Sequence, residues 1–151
     1  MAATPKLINS FLVEVFNDIL KIEENFIIKT FKDLSVNEMH IIEQIFLAEE
    51  NSEDTRVTEI AKKRRVTAGT LTSAIIPLEK KGYIIREKAE NDKRVVKLKC
   101  SEKARNAQTL HEEFHRDMVS GVLSGLSEDQ AYLLADTLSD LRTFFQEKYG
   151  E

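Results

Sequence analysis

The sequence predicts a mainly α-helical chain interrupted once, near its middle, by a small β-hairpin. Three observations predict it. Apolar residues recur with helical spacing over most of the chain. Between Thr58 and Lys81 two helical segments are separated by a tight turn. After Gly82 the pattern switches to the two-residue period of strands. Two short helices followed at once by a hairpin form a winged helix-turn-helix, and the remaining helices flank it on both sides.

Taken in order, Leu7, Ile8, Phe11, Leu12, Val15, Phe16, Ile19, Leu20 and Ile22 predict one long helix that persists towards Phe31. Its apolar surface is too wide for a lone solvent-facing helix, so part of it is expected to be covered by a second subunit. Ser35 with Glu38 three residues on reads as a capping box for the next helix, which carries Met39, Ile42, Ile45, Phe46 and Leu47. The polar run from Glu49 to Thr55 is a solvated loop, and Arg56 with Val57 can add a short third strand beside the hairpin.

The first short helix, Thr58 to Arg64, turns Ile60 and the small Ala61 inward. Val66 closes the turn, and the Thr67 hydroxyl caps the second helix by accepting one of its unpaired amides. Leu71, Ile75 and Leu78 lie on one face of that helix, leaving Thr70, Thr72 and Ser73 on the other. Gly82 ends it in a left-handed conformation. Tyr83, Ile84 and Ile85 then lead into one strand, Val95, Val96 and Leu98 lie on the next, and A-E-N-D-K-R between them is turn chemistry. Ser101 with Glu102 opens a helix bearing Leu110, Phe114, Met118, Val122 and Leu123, which Gly125 breaks. Ser127 caps the last one, bearing Leu133, Leu134, Leu138, Leu141, Phe144 and Phe145. The 151 residues are expected to form a single domain, with the winged helix-turn-helix over 35–100 and dimerisation helices over 1–34 and 101–151.

Charge distribution indicates a partner. The formal net charge is -4, yet between Arg56 and Arg105 fifteen Lys or Arg stand against six Asp or Glu, and the rest of the chain is strongly acidic. A basic module in an acidic body is the footprint of phosphate binding. Small polar side chains let the second short helix sit deep in a major groove, so Thr67, Ala68, Gly69, Thr70, Thr72 and Ser73 are the expected reading residues. Lys93 and Arg94 at the hairpin tip suit a phosphate backbone or a narrow minor groove. Lys62, Lys63, Arg64 and Arg65 are further candidates for phosphate contact, or simply a solvated face. Paired flanking helices would set two reading heads one groove turn apart in a two-fold dimer on double-stranded DNA.

One cysteine excludes an internal disulfide, and neither a signal peptide nor an apolar run long enough for a membrane is read in the chain, which predicts a cytoplasmic protein without a membrane partner. No Gly-rich phosphate loop, H-E-x-x-H or nucleophile elbow is present, so no enzyme is expected and no cofactor is required. Cys100 ends an alternating strand and reads as a quiet buried thiol.

L-E-K-K-G-Y-I-I-R from Leu78, the D-K-R of Asp92 to Arg94 and the following V-V-K-L-K resemble the MarR family of bacterial transcription regulators, and the resemblance covers essentially the whole chain. It implies that Asp92 braces the wing tip and that Arg94 enters the minor groove. N-E-M-H-I-I at Asn37, V-T-A-G-T-L-T-S at Val66 and L-H-E-E-F-H-R-D-M-V at Leu110 resemble the family's branch of fatty-acid-synthesis repressors, which implies a long-chain acyl-acyl carrier protein as corepressor. Phe16, Leu20, Phe26, Ile27, Met39, His40, His111, Phe114 and His115 are the candidate ligand-contacting residues, with a filled core as the other reading of the apolar ones. Lys103, Arg105 and Arg116 are the candidate cations for docking the acidic carrier. Pro77 departs from the pattern: it offers no N–H to Ser73 and predicts a bend in the reading helix.

His111 and His115, one turn apart, with His40 and Glu24 on other helices, also resemble the family's zinc-responsive branch, so a zinc-responsive or a small-molecule-responsive regulator is the alternative. Imidazoles hydrogen-bonded across packed helices are the other reading of the same residues.

Overall fold

The computed structural model describes residues 4–150; the ends of the expected domain, residues 1–3 and 151, lie outside the described residues. Seven α-helices and a two-stranded sheet are described: α1 Pro5–Ser10, α2 Phe16–Thr30, α3 Val36–Glu50, α4 Val57–Arg64, α5 Ala68–Lys80, β1 Ile84–Lys88, β2 Val96–Cys100, α6 Glu102–Ser124 and α7 Glu128–Tyr149. The single long N-terminal helix that periodicity predicts is α1 and α2 joined through a π-helical stretch, Phe11–Val15. The described residues fall into two compact units, one up to His111 and one from Glu112 onwards.

Local chemistry fixes the helix ends. The Ser35 hydroxyl accepts from the Glu38 N–H while the Glu38 carboxylate accepts from the Ser35 N–H, both at 3.1 Å. Ser127 and Gln130 repeat the arrangement at the start of α7. Gly82, at φ 82°, closes α5: Tyr83 N–H donates to the Leu78 carbonyl and Gly82 N–H to that of Glu79, the paired bonds of a Schellman motif. The hydrogen bonding of α5 resumes past Pro77, since Lys81 N–H donates to the Pro77 carbonyl at 3.0 Å. Pro77 offers no N–H to the Ser73 carbonyl, and both residues are exposed.

In the first unit the core is built from Ile27 of α2, Met39, Ile41, Ile42 and Ile45 of α3, Ile60 of α4, Leu71, Ile75 and Leu78 of α5, and Ile84 and Leu98 of the hairpin. Each such side chain contributes roughly 1.5–3 kcal/mol on burial, and together they seat the two short helices on α3. The strands pair antiparallel with Ile84 opposite Cys100 and Lys88 opposite Val96. The third strand reduces to a single bridge between Arg56 and Lys97, because Val57 already begins α4. One polar cluster pins the corner after α5 to the corner before α3. Tyr83 donates to the Asp33 carboxylate at 2.7 Å and Lys81 to Glu38 at 2.9 Å, while Lys103 sits over the Tyr83 ring. Burial and the Asp33 bond both push the Tyr83 hydroxyl pKa upward, so it stays a donor.

In the second unit no described residue is buried. Leu126, Ala131, Leu134 and Leu141 are half-covered, whereas Val119, Val122, Leu123, Tyr132, Leu133, Leu138, Phe144, Phe145 and Tyr149 face outward.

Candidate nucleic-acid interface

The turn between α4 and α5 is held from both sides. Arg65 adopts the left-handed conformation, φ 57°, and closes α4 in a second Schellman arrangement, with Val66 N–H donating to Ala61 and Arg65 N–H to Lys62. A glycine would adopt this conformation more cheaply, so the chain retains a cation at a position that costs backbone energy. Thr67 then starts α5: its hydroxyl accepts from the Thr70 N–H at 3.1 Å and donates to the Thr70 hydroxyl at 2.9 Å.

Thr67, Ala68, Gly69, Thr70 and Ser73 are exposed together on α5, and Thr72 is half-buried with its hydroxyl donating to the Ala68 carbonyl. Small side chains on an exposed first turn leave the helix free to approach a surface closely. At the hairpin tip the Arg94 side chain is 91% exposed. Asp92 accepts from the Arg94 backbone N–H at 3.0 Å and from its guanidinium at 3.2 Å. Those two Arg94 bonds hold the Asp92 carboxyl below the usual carboxylate range. Lys93, beside it, is exposed as well.

The four cations of the first short helix separate into different roles. Arg64 turns inward, donating to Asn37 at 2.7 Å and to Gln44 at 3.4 Å, and so acts as a strut between α4 and α3. Lys63 pairs with Glu53 and Lys62 with Glu59. Arg65 remains exposed at the turn.

Of the side chains expected at a ligand site, Ile27 and Met39 are fully buried in the core of the first unit and Phe26 packs against it. Phe16 and Leu20 are more than half exposed on α2. Phe114 and His115 belong to the second unit, where their rings stack edge-on. The carboxylate that meets the histidines is that of Glu23, not of Glu24. Its Oε1 accepts from His40 Nε2 at 2.6 Å and from His111 Nε2 at 2.9 Å, and Glu43 lies 3.4 Å from His111 Nδ1. Glu24 is exposed on another side of α2, beside Ile28, Lys32 and Ser35. Among the proposed docking cations, Lys103 is engaged by Asp33 and the Lys81 carbonyl, and Arg105 by Glu49 and Glu50. Arg116 is exposed on α6. The Cys100 thiol is buried, and burial, helped by the neighbouring Glu49 carboxylate, pushes its pKa up to about 12. Among the described residues no helix is long and apolar enough to cross a membrane.

The sequence pattern of the MarR family matches residues 34–96. The chain is similar to the HTH-type transcriptional regulator SarZ of Staphylococcus aureus, at 25% identity over 105 residues that span 70% of this chain and 68% of that protein. Among solved structures it is similar to Streptococcus pneumoniae FabT in complex with DNA: TM-score 0.84, 35% identity, 95% of this chain and 99% of that chain covered. The S. aureus MepR–DNA complex shares the fold, with a TM-score of 0.70 at 19% identity over 96% of this chain and 100% of that one.

Proposed function

The chain belongs to the MarR family and is a DNA-binding transcription regulator, and on that premise we propose that it is a homodimeric repressor of fatty-acid synthesis genes with a long-chain acyl-acyl carrier protein as corepressor. The observation that carries this reading is the likeness to FabT bound to DNA, at 35% identity over nearly the full length of both chains. Residues 35–100 form the DNA-binding part: Thr67, Ala68, Gly69, Thr70, Thr72 and Ser73 read the major groove, Lys93 meets the backbone and Arg94, braced by Asp92, enters the minor groove. Residues 1–34 and 101–151 are the dimerisation helices. Such a protein acts in the cytoplasm, where its operator is.

A ligand tightens DNA binding only if it prefers the DNA-competent dimer, so operator DNA must tighten acyl binding by the same factor. The ligand contacts of this reading in the first unit come from Phe16, Leu20, Phe26, His40 and neighbouring side chains. With Lys103 and Arg105 engaged by the chain's own carboxylates, Arg116 is the docking cation this reading relies on. The test is a gel shift of a fatty-acid-synthesis promoter with unloaded carrier and with carrier bearing a long acyl chain. Tighter binding with the loaded carrier alone is expected, and equal shifts with both would remove the corepressor from this reading.

The Glu23 cluster favours a second reading, a metal-responsive regulator. Glu23, His40 and His111 offer the oxygen and nitrogen donors that zinc takes. Operator binding that chelator abolishes and stoichiometric zinc restores would select it over the acyl reading.

A further inference from the structure

Three arginines converge on a cleft of about 450 Å³ between the reading helix and the wing. Arg56 precedes α4, Arg86 lies on β1 and Arg94 is at the wing tip, and Thr58, Thr72 and Val96 line the same cleft. Each arginine has a carboxylate of the same chain beside it. Arg56 pairs with Asp54 at 2.7 Å, Arg86 with Glu79 at 2.6 Å and Arg94 with Asp92 at 3.2 Å. Arg86 stands opposite Leu98 in the hairpin, on the strand face that also carries the buried pair Ile84 and Cys100. Its guanidinium reaches back to Glu79 of α5 while the side chain stays in part exposed. The side chains of Arg56 and Arg86 stay 44% and 37% exposed, so a ligand can reach them.

We propose that this cleft binds a phosphodiester of the DNA strand that passes between reading helix and wing, with Arg56 and Arg86 as its phosphate ligands and Asp54 and Glu79 holding the two guanidiniums in place until DNA arrives. The inference rests on the DNA-binding reading and adds to it two contacts outside the reading helix and the wing tip. Exposed ion pairs contribute little stability, so exchanging a carboxylate partner for a phosphate costs the fold little. Guanidinium forks suit that exchange, because they bind phosphate through two parallel N–H bonds. The carboxylates left beside the bound phosphate weaken every such contact equally, whatever the base sequence. Asp54 and Glu79 thus lower binding to unspecific DNA and leave discrimination to the bases that α5 touches.

The test measures fluorescence anisotropy of the full-length chain on two labelled duplexes over a range of salt. One duplex has mixed sequence and the other is selected by the wild type from a randomised pool. Arg56→Gln and Arg86→Gln are each expected to weaken both duplexes alike, roughly threefold or more, and to reduce the slope of log affinity against log salt by about one. Glu79→Gln and Asp54→Asn are expected to tighten both duplexes. Loss confined to the selected duplex, an unchanged salt slope, or carboxylate variants that bind no better than the wild type would overturn the proposal. The carboxylate variants decide the matter if an arginine variant misfolds. A wild type that enriches no duplex from the pool and does not bind the mixed one would instead overturn the DNA-binding reading itself.

Discussion

Glu23 on α2 and His111 on α6, 88 residues apart in the chain, meet through a 2.9 Å hydrogen bond with both side chains buried. His40 of α3 donates to the same carboxylate oxygen, so one group ties three helices together. An ionised carboxylate is acceptor-only, which fixes the proton on Nε2 of both rings. Replacing Glu23 with Ala leaves the buried His111 donor to find another partner, while the part-exposed His40 can turn to water, and should cost about 1–3 kcal/mol, read as a lower midpoint in urea unfolding.

The same cluster sets a pH dependence. Burial by itself raises the Glu23 pKa, but the bonds from His40 and His111, and then their charges, outweigh it and hold the value below the ordinary 4.5. A depressed carboxylate contributes stability that is complete above its unfolded pKa and is lost as pH falls through the lower folded value. The stability gap between wild type and Glu23→Gln should therefore narrow as pH falls below about 4.5. Thermal melts followed by circular dichroism across the acid range check this, and a gap that widens as pH falls below about 4.5 would contradict it.

Arg65 offers a prediction in the opposite direction. Its left-handed backbone costs about 1–2 kcal/mol, part of which a glycine would return to its own greater freedom in the unfolded chain. Arg65→Gly should stabilise the fold by up to about 1 kcal/mol while weakening DNA binding, because the exposed cation is lost. Urea unfolding and duplex titration on the same variant separate the two effects. A variant that loses stability would show that the side chain, not the backbone, holds the turn.

These contrasts show which features the sequence could carry. Leu71, Ile75 and Leu78 were legible because helical period alone puts them on one face, and all three are buried. Ser35 with Glu38 and Thr67 were legible because capping is local. Glu23 was not separable from Glu24, since adjacent helical residues point about 100° apart and nothing in E-E says which side the histidines occupy. Arg86 was not legible because a cation two residues after Ile84 shares the apolar face of the strand, and Glu79 meets it only across the corner at Gly82. The π-helical stretch Phe11–Val15 carries no residue type that marks it.

At the wing, Arg94 is so exposed that its removal should leave stability unchanged. Arg94→Ala is expected to weaken duplex binding at least several-fold with an unaltered melting temperature. Asp92→Ala should weaken it less, because the cation remains but loses the bonds that orient it. Equal losses in the two variants would mean that orientation, rather than charge, is what the wing supplies.

Leu7, Ile8, Phe11, Val13 and Phe16 face outward on the N-terminal helices, and so do Tyr132, Leu133, Leu138, Phe144 and Phe145 on α7. Apolar side chains scattered singly over a surface are ordinary, but two helical segments bearing runs of them mark an interaction surface. A second copy of the chain is the occupant this reading assigns, because a two-fold DNA site needs two reading heads at fixed spacing. Light scattering should give twice the chain mass at concentrations where DNA is bound. Leu133→Asp, on a side chain 67% exposed in the single chain, should shift the protein towards monomer and weaken binding to the selected duplex far more than a charge change on free surface would. An unaltered dimer and unaltered affinity would exclude Leu133 from the interface, and a wild-type monomer that binds the selected duplex at full affinity would refute the dimeric reading altogether.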